Sequence, residues 1–149
     1  MTDDAQPQPS PPPSSTISAP ARTRILVAED EALIRMDLVE MLVGVGYEVV
    51  AQASNGEQAV ALSRELKPDL VLMDVRMPVL DGISAAEQIG RERIAPVVML
   101  TAFSQKELVE RARDAGVMAY IVKPFTASDL APAIDITRSE EHTSELQSQ

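Results

Sequence analysis

Short apolar runs alternate with longer amphipathic segments from residue 24 onward. The run LVLM at residues 70–73 has no polar interruption, which is typical of a strand buried on both faces. Runs of this length, separated by segments long enough for a helix, predict β-strands. Five such runs are present: RILVA (24–28), YEVVAQA (47–53), DLVLM (69–73), PVVML (96–100) and MAYIV (118–122).

The segments between the runs carry apolar residues at helical spacing. They predict helices over residues 31–44, 55–66, 83–93 and 104–115, and a last helix beginning near Thr126 or Ser128. The expected buried face of the first helix consists of Ile34, Leu38, Met41 and Val45. Pro68 ends the second helix, and the capping-box spacing of Ser104 and Glu107 starts the fourth. Pro132 predicts a kink or a late start in the last helix.

This alternation of five strands and five helices predicts the fold class. Strands that alternate with helices form a parallel sheet with helices on both faces, so we expect an α/β fold. Aromatic residues make up 3% of the chain, so the core must be built from aliphatic side chains.

The two ends of the chain differ in composition from its middle. Residues 1–21 hold six of the eleven prolines and few large apolar residues, so we expect a disordered tail there. The remaining length suits one domain, which we expect over residues 22–137. Residues 138–149 form a polar tail.

Charge and cysteine content narrow the function classes. A net charge of −10 argues against nonspecific nucleic-acid binding, which needs clustered Lys and Arg. The chain has no cysteine, so disulfides and thiolate metal sites are excluded. It shows no secretory signal and no apolar run of membrane-spanning length, and we expect a cytoplasmic protein.

Chemically active residues follow four of the five predicted strands. Ligand sites in open α/β sheets lie beyond the carboxyl ends of the strands, so these residues should meet at one edge. They are Glu29, Asp30 and Glu31 after the first strand, Asp74 after the third, Thr101 after the fourth and Lys123 after the fifth.

A cluster of acids with a hydroxyl and a lysine suits phosphoryl chemistry. Carboxylates crowded together repel unless a cation intervenes, and hard oxygen ligands favour Mg²⁺. The metal and the ammonium offset charge on a transferred phosphoryl group. Asp74 lies between the acidic pair and the Thr/Lys pair in strand order, so it is the best candidate for a nucleophile.

Four motifs together resemble the receiver domain of bacterial two-component response regulators. These are ILVAEDE, LVLMDVRMPVLDG, VVMLTA and AYIVKPF, in family order and spacing from about Arg24 to Ile136. The resemblance implies a flavodoxin-like (CheY-like) doubly wound sheet with strand order 2-1-3-4-5. It also implies phosphorylation by a histidine kinase.

The resemblance assigns a role to each site residue. Asp74 is the phosphorylation site, and Lys123 contacts the phosphoryl group. Thr101 is the switch hydroxyl and Tyr120 the switch aromatic. The resemblance further implies a cis peptide bond before Pro124. The implied Mg²⁺ ligands are Glu29, Asp30, Asp74 and the backbone carbonyl of Arg76.

A narrower resemblance concerns the output of the protein. The stretches EDEALIRMDLVEML and TAFSQKELVERARDAGVMAYIVKPF are similar to the receiver half of actinobacterial regulators whose output is an ANTAR domain, an RNA-binding antiterminator module. The stretch RSEEHTSELQS resembles a translated sequencing adapter. We therefore expect residues 138–149 to be non-native and the output domain to be missing. A stand-alone receiver with a polar tail is the alternative.

Several of these residues also have a purely structural interpretation. Glu29, Asp30 and Glu31 could begin the first helix, and we prefer that role for Glu31. Tyr120 is equally compatible with core packing. We interpret Asp81-Gly82 as a turn.

Two other functions compete with a receiver. A Mg²⁺-dependent phosphohydrolase could use Asp74 as nucleophile, but the general acid expected two positions later is replaced by Arg76. A flavodoxin-like FMN carrier would need a Ser/Thr/Gly-rich loop after the first strand, where three acids stand. For a receiver, the expected partners are a sensor histidine kinase, an output domain or downstream protein, and a second copy bound through helix 4, strand 5 and helix 5. RNA would bind only through the ANTAR domain.

Overall fold

A computed structural model describes residues 22–101, 110, 111 and 113–147, with side chains as far as residue 138. It contains a five-stranded parallel sheet with the strand order β2-β1-β3-β4-β5. The predicted α/β fold and strand order are confirmed. The strands are β1 (Arg24–Ala28), β2 (Glu48–Ala53), β3 (Leu70–Asp74), β4 (Val97–Thr101) and β5 (Ala119–Val122).

Helices cover both faces of the sheet. They are α1 (Ala32–Val45), α2 (Gly56–Leu66), α3 (Gly82–Arg91) and the C-terminal helix (Ala127–Gln147). Most of the predicted fourth helix, with its Ser104–Glu107 capping box, lies outside the described residues, although residues 110, 111, 113 and 114 are helical. The predicted tail at residues 1–21 also lies outside them. No helix in the described part of the chain is long and apolar enough to cross a membrane.

The sheet separates two aliphatic cores. On one face α2 and α3 pack through Ala59, Val60, Ile83 and Ile89. On the other face α1 and the C-terminal helix pack through Leu38, Leu42, Leu130 and Ile134. Successive strand residues point to opposite faces, so β3 supplies Val71 and Met73 to the first core and Leu70 and Leu72 to the second. This double burial explains the uninterrupted apolar runs.

The buried face of α1 differs from the prediction at its C-terminal end. Leu38 and Leu42 are fully buried, whereas Val45 is 43% exposed. Val45 lies on the same side of α1 as Leu38, but it is the last residue of the helix and is not covered, whereas Leu42, which was not part of the predicted face, is buried. Gly44 lies inside the helix, and Gly46 ends it in the left-handed conformation at φ 115°.

Two strands extend one residue further than predicted. Asp74 pairs with Leu100, and Thr101 pairs with Val122. Asp74 and Thr101 are therefore the last residues of their strands, and the hydrogen-bonded ladder fixes their backbones.

Pro132 lies inside the C-terminal helix. The helix begins at Ala127, close to the predicted start, so the proline does not delay it. The helix continues beyond residue 137, the predicted end of the domain.

Candidate functional site

The carboxyl ends of β1, β3 and β5 bring an ammonium between two carboxylates. The Lys123 Nζ atom lies 2.9 Å from Asp74 Oδ1 and 3.1 Å from Glu29 Oε1. Glu29 is fully buried and Asp74 is 6% exposed. The structure therefore brings Glu29, Asp74 and Lys123 together at one edge of the sheet, as predicted.

Asp30 joins this pair to form a three-carboxylate cluster. One carboxylate oxygen from each of Glu29, Asp30 and Asp74 lies within 4.8 Å of the other two. Lys123 supplies the one ammonium that the described residues place at this cluster, and it cannot balance three carboxylates. The donors are all hard oxygen atoms, and one of the three carboxylates is open to solvent, so the cluster fits a hard divalent cation.

Burial and the neighbouring charges shift the pKa values of Glu29, Asp74 and Lys123. Burial raises the pKa of the Glu29 carboxyl, as does the charge of Asp74. Burial likewise raises the pKa of Asp74, although the Lys123 hydrogen bond works in the other direction. Burial lowers the pKa of Lys123, but its hydrogen bonds and charge interactions with Asp74 and Glu29 outweigh this and raise it.

Glu29 is held through both its backbone and its side chain. The Glu29 N–H donates to the Ala53 carbonyl at 3.0 Å. The Arg35 guanidinium donates to the Glu29 carbonyl at 2.6 Å. The second carboxylate oxygen accepts the Glu31 N–H at 3.1 Å. Glu31 is the N-cap residue of α1, as the structural interpretation predicts, but its side chain makes no capping hydrogen bond.

Thr101 and Tyr120 lie on adjacent strands with different exposure. Thr101 is 3% exposed at the end of β4, and its carbonyl accepts the Lys123 N–H at 2.8 Å. Tyr120 on β5 is 49% exposed. Tyr120 therefore does not pack in the core, which was one of the two interpretations left open. The Lys123-Pro124 peptide bond is cis.

The loop after β3 depends on a glycine that the sequence analysis treated only as part of a turn. A Cβ atom at Gly82 would collide with the backbone carbonyl oxygen of Asp74. Asp81 caps α3, because its carboxylate accepts the Ser84 N–H at 2.8 Å. This places the start of α3 directly against the backbone of the acidic site. The Arg76 side chain is exposed.

Arg35 is the other residue that the sequence analysis missed. It is the only Lys or Arg between Arg24 and Arg64. An isolated arginine one helical turn after the acids at 29–31 is the sequence signal that could have indicated a contact with the site.

Comparisons with known proteins agree with this geometry. The sequence model of the response regulator receiver domain family matches residues 25–135 of this chain. The transcriptional regulatory protein PdtaR of Mycobacterium tuberculosis is 61% identical over 127 residues, which are 85% of this chain and 62% of that protein. The chain therefore spans less than two thirds of the length of this relative.

A second relative and a solved structure match the domain alone. The chemotaxis protein CheY of Bacillus subtilis is 44% identical over 115 residues, covering 76% of this chain and 96% of that protein. The crystal structure of a CheY-like response regulator receiver domain protein from Methanospirillum hungatei has a TM-score of 0.76 at 26% identity. The match covers 83% of this chain and 99% of the chain in that crystal structure.

Proposed function

This chain belongs to the response regulator receiver family, and on that premise we propose that Asp74 accepts a phosphoryl group from a sensor histidine kinase in the cytoplasm. The observation that carries the proposal is the contact of Asp74 Oδ1 with the Lys123 ammonium at 2.9 Å, inside a three-carboxylate cluster. The family membership favours this function over the phosphohydrolase and the flavin carrier.

We further propose that the cluster holds Mg²⁺. The chain's own ligands would be Glu29, Asp30, Asp74 and the Arg76 backbone carbonyl. The excess of carboxylates over ammonium groups supports a divalent cation there. When bound, Mg²⁺ offsets negative charge on the phosphoryl oxygens. Glu29 contributes less directly than Asp30, because its oxygens already accept hydrogen bonds from Lys123 and Glu31.

The transfer itself uses the Asp74 carboxylate as nucleophile. An Asp74 carboxylate oxygen attacks phosphorus, the bond from phosphorus to the histidine nitrogen breaks, and the electron pair stays on that nitrogen, which takes a proton from solvent. Lys123 keeps one Asp74 oxygen oriented and supplies positive charge for the incoming group. The chain acts as a signalling domain, and the reactions we assign to it are phosphorylation from a donor and its own dephosphorylation.

Signal output would come from a shift between two conformations. A phosphoryl group adds charge and acceptor oxygens at Asp74. Thr101 would move toward it, and the exposed Tyr120 would turn inward. The surface formed by the predicted fourth helix, β5 and the C-terminal helix would then change its preference for a partner, including a second copy of the chain.

For the full-length protein we propose regulation of transcription by RNA-binding antitermination. This extends the likeness to PdtaR, which is a transcriptional regulatory protein. RNA would bind through an ANTAR output domain and not through this chain. The adapter-like sequence at 138–149 supports the proposal that these residues are non-native. A stand-alone receiver acting by protein contact is the second candidate, since the match to CheY covers 96% of that protein.

The experiment is incubation with acetyl phosphate and Mg²⁺, followed by intact-protein mass spectrometry. We expect a gain of one phosphoryl group in the wild type and none in Asp74→Asn. Asp37→Asn is the matched control, because Asp37 is an exposed aspartate on α1. Labelling that persists in Asp74→Asn would overturn the assignment.

A further inference from the structure

Arg35 lies in the first turn of α1 and connects the ends of two strands. Its Nη1 atom donates to the Glu29 carbonyl at 2.6 Å, and its Nε donates to the Gln52 side-chain carbonyl at 3.3 Å. Glu29 follows β1 and Gln52 lies on β2. One guanidinium therefore spans the place where these strands separate.

The hydrogen bond to Glu29 fills a gap left by the sheet. The β1–β2 ladder runs as far as Ala28 and Ala53, and the Glu29 N–H still donates to the Ala53 carbonyl at 3.0 Å. In a parallel ladder the next donor to the Glu29 carbonyl would be the Asn55 N–H, but Asn55 is the N-cap residue of α2, and the described residues contain no such hydrogen bond. The donor that a continuing ladder would give to the Glu29 carbonyl is replaced by Arg35.

The peptide group that Arg35 holds also carries Asp30. The Asp30 carboxylate is exposed and, within the described part of the chain, has no hydrogen bond or ion pair. Its position relative to Glu29 and Asp74 is therefore set through its backbone. The Glu29–Asp30 peptide is fixed on one side by the sheet and on the other by Arg35.

We propose that Arg35 is a positioning residue of the acidic site, which holds the Glu29–Asp30 peptide so that the Asp30 carboxylate is preorganised to bind Mg²⁺. This inference rests on the metal site of the proposed function. A positioning role and simple electrostatics predict opposite effects of removing Arg35 on the affinity for Mg²⁺. The loss of a positive charge beside three carboxylates would by itself strengthen cation binding, whereas the loss of preorganisation weakens it.

The test is calorimetric titration of the full chain with Mg²⁺, without any phosphoryl donor. We expect Arg35→Gln to weaken Mg²⁺ binding on the order of 10-fold, as is typical for residues that orient metal ligands. Arg64→Gln is the matched control, because Arg64 pairs with Glu92 on the surface, away from the site. It should bind Mg²⁺ as the wild type does.

Two further variants separate positioning from loss of structure. Arg35→Lys keeps the charge and one donor, so it should recover part of the affinity. Gln52→Ala removes the second acceptor of Arg35 and should weaken binding less than Arg35→Gln does. It should have no further effect in the Arg35→Gln background, because the two residues act as a unit.

The outcomes distinguish this inference from the metal site itself. Wild-type protein that fails to bind Mg²⁺ would overturn the metal site. Wild-type binding with unchanged or tighter binding in Arg35→Gln would overturn the role of Arg35. Thermal unfolding in EDTA identifies which variants fold. If Arg35→Gln does not fold, then wild-type affinity in both Arg35→Lys and Gln52→Ala would overturn the role of Arg35.

Discussion

The ammonium of Lys123 lies 2.9 Å from Asp74 Oδ1, although β4 separates their strands in the sheet. The same ammonium contacts Glu29, so one cation serves two buried carboxylates. Burial of charge is costly unless it is paired, and a third carboxylate, Asp30, lies within the same cluster. Among the described residues the site is therefore short of positive charge, and this shortage underlies the proposed chemistry.

Mg²⁺ is expected to stabilise the fold at neutral pH. Mass action gives about 2.7 kcal/mol at a free Mg²⁺ concentration about 100 times Kd. Thermal unfolding with and without Mg²⁺ measures this gain, which should shrink in Asp30→Asn. An equal gain in the wild type and in Asp30→Asn would contradict a site formed by this cluster.

Stability without Mg²⁺ should depend on pH in a defined direction. Burial raises the pKa values of Glu29 and Asp74 above their ordinary 4.5 and 3.8, so their ionisation opposes folding. This cost is absent below the ordinary values, and it grows as the pH rises through the raised values. Unfolding in EDTA should therefore show Asp74→Asn to be more stable than the wild type at neutral pH, on the order of 1 kcal/mol. The gain should vanish below pH 3.8.

Gly82 is expected to tolerate no side chain. An added Cβ would meet the backbone carbonyl oxygen of Asp74, so Gly82→Ala should cost about 1–3 kcal/mol of unfolding free energy. The matched control is Gly44→Ala in α1, where nothing lies within 4 Å of the new methyl group. That variant should gain about 0.5–1 kcal/mol, because alanine favours helix. Equal effects in urea titrations would show that the Gly82 packing is unimportant.

Tyr47 ties the start of β2 to the C-terminal helix. Its hydroxyl donates to Asp135 Oδ1 at 3.0 Å, and burial with this hydrogen bond raises the Tyr47 pKa to about 12. The stabilisation is complete below pH 10 and is lost as the pH rises toward 12. The chain has two tyrosines, so Tyr120→Phe leaves Tyr47 as the only phenol. Its absorbance titration should have a midpoint near 12, and Asp135→Asn should lower that midpoint.

The strands, their order along the chain and the position of the site could be predicted from the sequence, because each of these features has a strong local signal. Doubly buried strands read as apolar runs, and the carboxyl-end rule then gathered Glu29, Asp74 and Lys123 at one edge. The resemblance to the receiver half of ANTAR-type regulators is likewise confirmed by the 61% identity to PdtaR.

The features that could not be predicted depend on contacts between parts of the chain that are distant in sequence. Which residues of α1 are buried depends on how far the sheet and the C-terminal helix cover it, and this cover includes Leu42 but not the terminal Val45. The Arg35 contact is available because β2 ends at Ala53 and leaves the Glu29 carbonyl without a ladder partner. Tyr120 is exposed although the next residue of the edge strand β5, Ile121, points to the other face of the sheet and is buried.

Chemical mapping of the modified residue shows whether Asp74 carries the phosphoryl group. Borohydride reduces an acyl phosphate of aspartate to homoserine, so protein phosphorylated with acetyl phosphate and Mg²⁺ is reduced, digested and sequenced by mass spectrometry. We expect homoserine at position 74, and none when Mg²⁺ is replaced by EDTA. Homoserine at Asp30 or at another aspartate, with Asp74 unchanged, would contradict it.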